Sequence, residues 1–232
     1  DSCGVAVHAA DASGPGTRLQ RLRGIARVAD LAAQAESQPL AGHTGIAHTR
    51  WATHGVPAVT NAHPHVSRGP VPGGMGGDEA AARPARVTLV HNGIIENHEA
   101  LRAELLARGY FFASQTDTEV IVHLIDSLYD GDLLAAVQAA VRRLRGSYSL
   151  AVLHRDEPQR IVGAREGSPL VLGVGQGETF LASAAMALAG VTDQIVYLED
   201  GDMIDMQMGK YWVLDRAGKA VERAVKTVHA HS

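Results

Sequence analysis

The residues with the most capacity for chemistry fall in two short runs and one isolated acid. The first run, His48-Thr49-Arg50-Trp51-Ala52-Thr53-His54-Gly55, puts two histidines, an arginine, a tryptophan and two threonine hydroxyls side by side. Arg50 offers a planar fork of donors that matches a carboxylate, Thr53 and His54 add hydrogen bonds, and Trp51 can wall a bound molecule off from water. A surface loop around a half-buried tryptophan accounts for the same residues without any ligand. The second run, His91-Asn92-Gly93-Ile94-Ile95-Glu96-Asn97-His98, holds an Asn-Gly pair. Asn-Gly is first a turn signal. A side-chain amide beside an unhindered backbone N–H is also what an oxyanion hole requires, two fixed donors aimed at charge that develops in acyl transfer. Asp117 stands at the start of a helical pattern, where it reads as a cap; a carboxylate there also suits a substrate ammonium.

Other chemistries have weaker signals. His63-Pro64-His65 is a His-x-His pair with zinc in its repertoire, and a metal-dependent hydrolase built on His63 and His65 stands as an alternative. The chain has neither paired-cysteine spacing nor a His-Glu-x-x-His helix, so no metal is expected. Gly-x-Ser-x-Gly is absent, and Gly173-Val174-Gly175-Gln176-Gly177 lacks the lysine and the following helix of a phosphate loop, so it reads as a hairpin and no cofactor is expected. The single cysteine, Cys3, excludes an intrachain disulfide and leaves thiol chemistry to one residue.

These residues need a scaffold, and 232 residues with 46% hydrophobic and 20% charged side chains suffice for one domain with a sizeable core. A formal charge of −4 gives no electrostatic reason to expect nucleic acid or an anionic membrane as partner. No apolar run approaches the roughly 20 residues that cross a bilayer, and Asp1-Ser2-Cys3-Gly4 lacks the character of a signal peptide, so a cytoplasmic protein is expected. Residues 3–9 read as a strand entering a turn at 11–16. Leu19, Leu22, Ile25, Val28 and Leu31 recur at helical spacing and predict an amphipathic helix over 19–35. Residues 45–49 and 86–91 read as strands that deliver the two polar runs, and 66–86, rich in Pro and Gly, as a mobile surface loop. Helices are expected over 96–108, 116–129 and 133–144, the second capped by Thr116 or Asp117. Seven short apolar runs follow between 148 and 214, read as consecutive strands with a short helix at 184–189. Helices early and strands late indicate an α+β layered sandwich.

Taken in order, residues 48–55, 61–65, 91–98, 116–121, Leu144-Arg145-Gly146-Ser147-Tyr148 and Gly167-Ser168-Pro169-Leu170 closely resemble the glutaminase domains (class II glutamine amidotransferase) of the glutamine:fructose-6-phosphate amidotransferase family. The resemblance spans nearly the whole chain. It implies a four-layer αββα sandwich of the N-terminal-nucleophile hydrolase type, with residues 1–232 as one glutaminase domain and separate sugar-isomerase domains beyond it. It also implies roles: Arg50 for the α-carboxylate of glutamine, Asp117 for its α-ammonium, Thr53 and His54 along the pocket, Trp51 in a closing loop, Asn92 and Gly93 as the oxyanion hole. The implied reaction is attack of an N-terminal cysteine on the glutamine amide, giving a thioester and ammonia that serves to make glucosamine 6-phosphate. L-glutamine or L-glutamate is then the ligand and the full-length protein a homodimer.

The chain departs from this pattern at its start. Such a nucleophile uses its own α-amine as base, yet Cys3 follows Asp1 and Ser2. Asp1-Ser2-Cys3-Gly4-Val5-Ala6-Val7 resembles a family segment, Asp-Ser-Ala-Gly-Leu-Ala-Val, that lies after the first strand and helix. Cys3 is then a small buried strand residue, and about 25 to 30 upstream residues, one strand and one helix including the nucleophile, are expected to be missing, so the fragment alone is expected to be inactive. The extra length at 69–86 is expected to be peripheral. A catalytically dead glutamine-binding module, or the glutaminase domain of another class II amidotransferase, would share these features.

Overall fold

The computed structural model describes residues 2–51, 56–73 and 75–229. Strand β1 (Ser2–Ala10) is buried along nearly its whole length. At its end Asp11 accepts from the Ser13 backbone N–H at 2.9 Å and donates its own N–H to Gly16 O at 3.0 Å, and the chain turns back on itself. Residues Thr17–Gly24 therefore continue as strand β2, paired antiparallel with β1 from Ala10↔Thr17 to Cys3↔Gly24. This corrects the helix expected over 19–35, of which only helix α1 (Val28–Ser37) exists. The three-residue spacing of Leu19, Leu22, Ile25 and Val28 misled because strand pairing decides the first part: Leu19 packs on the Ala6, Ile46 and Leu153 cluster, Leu22 is buried on the opposite face, and Ile25 and Val28 are exposed. Strand β3 (Thr44–Arg50) pairs with the other edge of β1, giving a three-stranded sheet in the order β2-β1-β3.

A seven-stranded antiparallel sheet forms the centre. It runs β13 (Ala220–Val221), β12 (Lys210–Leu214), β11 (Met203–Gln207), β7 (Arg160–Glu166), β6 (Tyr148–His154), β5 (Val87–Asn92) and β4 (His65–Ser67). Alternation along its strands sends Val87, Leu89, Leu150, Val152 and Val162 to one face, where helices α3 (His98–Ala107), α4 (Asp117–Leu128) and α5 (Leu133–Val141) cover them. Each such fully buried aliphatic side chain contributes about 1.5–3 kcal/mol through removal from water. Leu153, Ile204 and Met206 face the other way, against the three-stranded sheet and against a four-stranded sheet, β14 (Val225–Thr227), β10 (Gln194–Tyr197), β8 (Val171–Val174) and β9 (Thr179–Ala182). On the outer side α1 lies over β1 and β2, and a single 3-10 turn at Ala185–Leu188 lies over β8 and β9. The result is helices, sheet, a second layer made of two sheets, and helical segments, the αββα arrangement expected.

The segment read as a mobile loop over 66–86 is more ordered than that. Its first residues belong to β4, helix α2 (Gly77–Ala82) lies within it, and Val71 N–H donates to Gly109 O at 2.8 Å. Arg86 N–H bonds Ser67 O at 2.8 Å, so the excursion leaves and rejoins the sheet at adjacent points. Strands β13 and β14 went unread because their segments carry too little apolar periodicity. Among the described residues no helix is long and apolar enough to cross a membrane.

Candidate active site

Three elements end at one place. Arg50 is the last residue of β3, Asn92 the last of β5, and Asp117 the first of α4. With Trp51, Gly93, His48, His63, His91, Thr118 and Ser147 they line a cavity of about 410 Å³. Thr53 and His54 lie outside the described residues.

Thr116, rather than Asp117, caps α4: its Oγ1 accepts from Glu119 N–H at 3.3 Å. This leaves the Asp117 carboxylate to the cavity side, where Oδ2 accepts from Ile95 N–H at 2.9 Å. Asp117 and Arg50 are both buried and of opposite charge; burial lowers the Arg50 pKa and the Asp117 charge works against that shift.

Asn92 and Gly93 are held from two sides. His48 Nε2 lies 2.7 Å from Asn92 Oδ1. That oxygen only accepts, so the ring donates and the amide's own N–H groups are turned to other directions. Gly93 has φ of +119°, and a Cβ there would strike Ser147 O. The turn is clamped by Ile94 N–H to Ser147 Oγ at 3.2 Å, Ser147 N–H to Ile94 O at 2.9 Å and Glu96 N–H to Arg145 O at 2.8 Å. Gly146, with φ of +117°, is the counterpart, since a Cβ there would meet Ile94 O.

Behind these residues stands a row of histidines whose roles were not read from the sequence. His48 and His63 stack with ring centroids 4.1 Å apart, and His63 meets His65 edge-on at 4.9 Å. His63 Nδ1 accepts from His91 N–H at 3.4 Å, its Nε2 reaches Thr118 Oγ1 at 3.5 Å, and Thr118 Oγ1 lies 2.9 Å from His91 Nδ1. Burial pushes His63 well below its ordinary pKa, helped by the neighbouring histidines, and burial likewise brings His65 to about 3. Both rings are neutral at pH 7 and act as fixed hydrogen-bonding walls. Among the described residues no group of three or more His, Cys, Asp or Glu stands together in a way that would hold a metal ion. The sequence signal for this row was the His63-Pro64-His65 pair itself, and for Ser147 the Gly146-Ser147 step.

Cys3 is elsewhere. Gly4 pairs with His48, and the His48 side bears Asn92, so Cys3, its neighbour in the strand, faces the opposite side of the three-stranded sheet. Its thiol sits 3.6 Å from Ala26 O and burial raises its pKa.

One further feature adjoins the cavity. β3 and β9 are outer strands of their sheets and face each other across a groove. Thr44, Gly45, Thr179 and Phe180 line one end of it, and Ala47, His48, Thr49, Leu181, Ala182 and Ser183 the other, beside Asn92. The seven residues of β3 make it roughly 20 Å long. Helix α1, which has no buried residue, overlooks the groove with Val28 and Leu31.

The layering is the αββα arrangement of the N-terminal-nucleophile hydrolase fold. A family model described as a glutamine amidotransferase domain matches residues 76–190. Across all of this chain, the glutamine–fructose-6-phosphate aminotransferase (isomerizing) of Bordetella pertussis is 58% identical and that of Pseudomonas putida 48% identical. The chain belongs to the glutamine amidotransferase domain family, and within it groups with the glutaminase domains of the glutamine–fructose-6-phosphate aminotransferases. It spans 35% and 34% of the length of those two relatives. Among solved structures, glutamine phosphoribosylpyrophosphate amidotransferase from B. subtilis superposes with a TM-score of 0.71 at 20% identity, over 94% of this chain and 44% of that one. A glutamine aminotransferase class-II domain protein from Silicibacter pomeroyi gives 0.56 at 17% identity, over 100% of both chains.

Proposed function

We propose that this domain binds L-glutamine and hydrolyses its side-chain amide. The observation that carries the reading is the convergence of Arg50, Asp117, Asn92 and Gly93, from three elements, on one cavity. Arg50 takes the α-carboxylate through its guanidinium fork and Asp117 the α-ammonium, which orients the side-chain amide towards Asn92 and Gly93. The Asn92 amide and the Gly93 N–H stabilise the oxyanion of the tetrahedral intermediate. Trp51, 83% exposed at the exit of β3, closes over bound substrate.

A cysteine thiolate adds to the amide carbon, the intermediate collapses to a thioester as ammonia leaves with the proton held by the general base, and water then releases glutamate and the thiol. Cys3 faces the wrong side of its sheet for this. The nucleophile arrives on an extended strand seated between β3 and β9, where both strand edges offer backbone partners beside Asn92. In the full-length protein, ammonia passes to the sugar-isomerase domains, which convert fructose 6-phosphate to glucosamine 6-phosphate in a cytoplasmic homodimer.

The test is glutaminase kinetics on the full-length protein carrying Arg50→Lys, which keeps the charge and loses the fork. A rise of about tenfold or more in KM for glutamine is expected. An unchanged KM removes Arg50 from the site and the reading with it. Stoichiometric glutamine binding with no ammonia release would make the domain a catalytically dead binding module instead.

A further inference from the structure

A second cavity, of about 220 Å³, is lined by residues of β2, β4 and α4. Arg21 and Arg23, on one face of β2, and Arg68, just beyond β4, line it with His65 and Glu119. Each arginine spends one Nη on a carbonyl: Arg21 on Pro64 O at 3.0 Å, Arg23 on Ala62 O at 2.8 Å, and Arg68 on Arg83 O. The ion pairs among the described residues involve none of the three.

Among the described residues Glu119 is the one carboxylate on the cavity wall, and its oxygens are already taken. They accept from Ala113 N–H at 2.9 Å and Ser114 N–H at 2.6 Å, with His123 Nε2 at 3.0 Å. Three guanidinium charges against one carboxylate leave an excess of two positive charges around the cavity. Desolvation, then repulsion from Arg23 and Arg68, brings Arg21 down to about 9, and desolvation brings Arg23 to about 10. Both remain charged at neutral pH, so the excess is real and an anion would relieve it.

We propose that this cavity is a binding site for a phosphate group, as free phosphate or a small phosphate monoester. The excess of two charges matches a dianion, where a carboxylate would leave one charge uncompensated. Guanidinium groups arriving from β2 and from the segment that follows β4 suit the spread of oxygens on a tetrahedral anion. The site also adjoins the active site: the carbonyls that hold Arg21 and Arg23 flank His63, which stacks on His48, the partner of Asn92. None of this depends on the amidotransferase reading.

Hydrogen-exchange mass spectrometry on the full-length protein tests it, with millimolar inorganic phosphate compared against potassium chloride at equal ionic strength. Peptides covering 17–24 and 65–86 are expected to exchange about threefold more slowly in phosphate. The protection is expected to vanish in the Arg23→Gln/Arg68→Gln double variant and to persist in Arg50→Gln, which removes the cation of the other cavity. Unchanged exchange in the unmodified protein, or protection that survives the double substitution, overturns the proposal. If the double variant loses its near-UV circular dichroism, Arg68→Gln alone at the outer wall replaces it, with half-saturating phosphate expected to rise about fivefold or more. No rise sinks the site.

Discussion

His48 Nε2 and Asn92 Oδ1 are 2.7 Å apart, a contact between the edge strand of one sheet and the last residue of a strand in another. It fixes which way the Asn92 amide points, and that direction is the whole of its usefulness as an oxyanion donor. Replacing Asn92 with Ala is expected to lower kcat for glutamine hydrolysis by about 10²–10³ with little change in KM. Replacing His48 with Ala leaves the amide in place without its anchor, so a smaller loss, on the order of tenfold, is expected. Equal losses in both variants would show that His48 does more than position Asn92.

Gly93→Ala meets two obstacles at once, a φ of +119° and the Ser147 carbonyl. A loss of about 2 kcal/mol or more is expected in urea unfolding, with the 93–96 turn the first segment to gain hydrogen exchange. A change within about 0.5 kcal/mol would mean that the turn relaxes freely.

Asp117 has a structural duty to Ile95 N–H and a proposed one to the ammonium of glutamine. Substitutions separate them. Asp117→Asn keeps an acceptor for Ile95 and loses the charge, so a raised KM with near-normal stability is expected. Asp117→Ala strands a buried N–H as well, at a cost of about 1–3 kcal/mol. If Asp117→Asn leaves KM unaltered, the carboxylate serves the helix start alone.

Stability should fall as pH drops below 6.5, before the carboxylates titrate. His65 has its folded pKa lowered to about 3 from 6.5, so the unfolded chain binds the proton first. Its contribution is fully present above 6.5 and is lost as pH falls towards 3, at about 1 kcal/mol per pH unit; His63 acts in the same direction. Glu119, lowered to about 2 from 4.5 despite its burial, by His123 and the N–H groups at 113 and 114, adds a second loss only below 4.5. Urea midpoints between pH 7.5 and 5 read the histidine part alone. A flat profile there would mean the rings are already charged when folded.

Cys3→Ala should leave glutamine turnover within about twofold, because the thiol is buried against Ala26 O on the far side of its sheet. Abolished turnover in a variant that remains folded would return Cys3 to the role of nucleophile.

What the sequence determined on its own was local. Asn92-Gly93 forms its turn because only a glycine accepts that backbone, Thr116 caps α4 through a residue three positions on, and the alternation in residues 148–154 fixes which side chains face the helices. Each depends on groups within a few residues of one another, so type and spacing suffice. The resemblance of ordered motifs added the αββα layering and the candidate residues. Tertiary structure decided the rest. Thr17–Gly24 has helical spacing yet is a strand, because a hairpin partner supplies its hydrogen bonds. Arg50 and Asp117 share a cavity only after β1 has paired with β3 and α4 has docked on the central sheet. The neutrality of His63 and His65, and the gathering of Arg21, Arg23 and Arg68 around one cavity, arise from burial against segments distant in the chain, which spacing along a sequence does not encode.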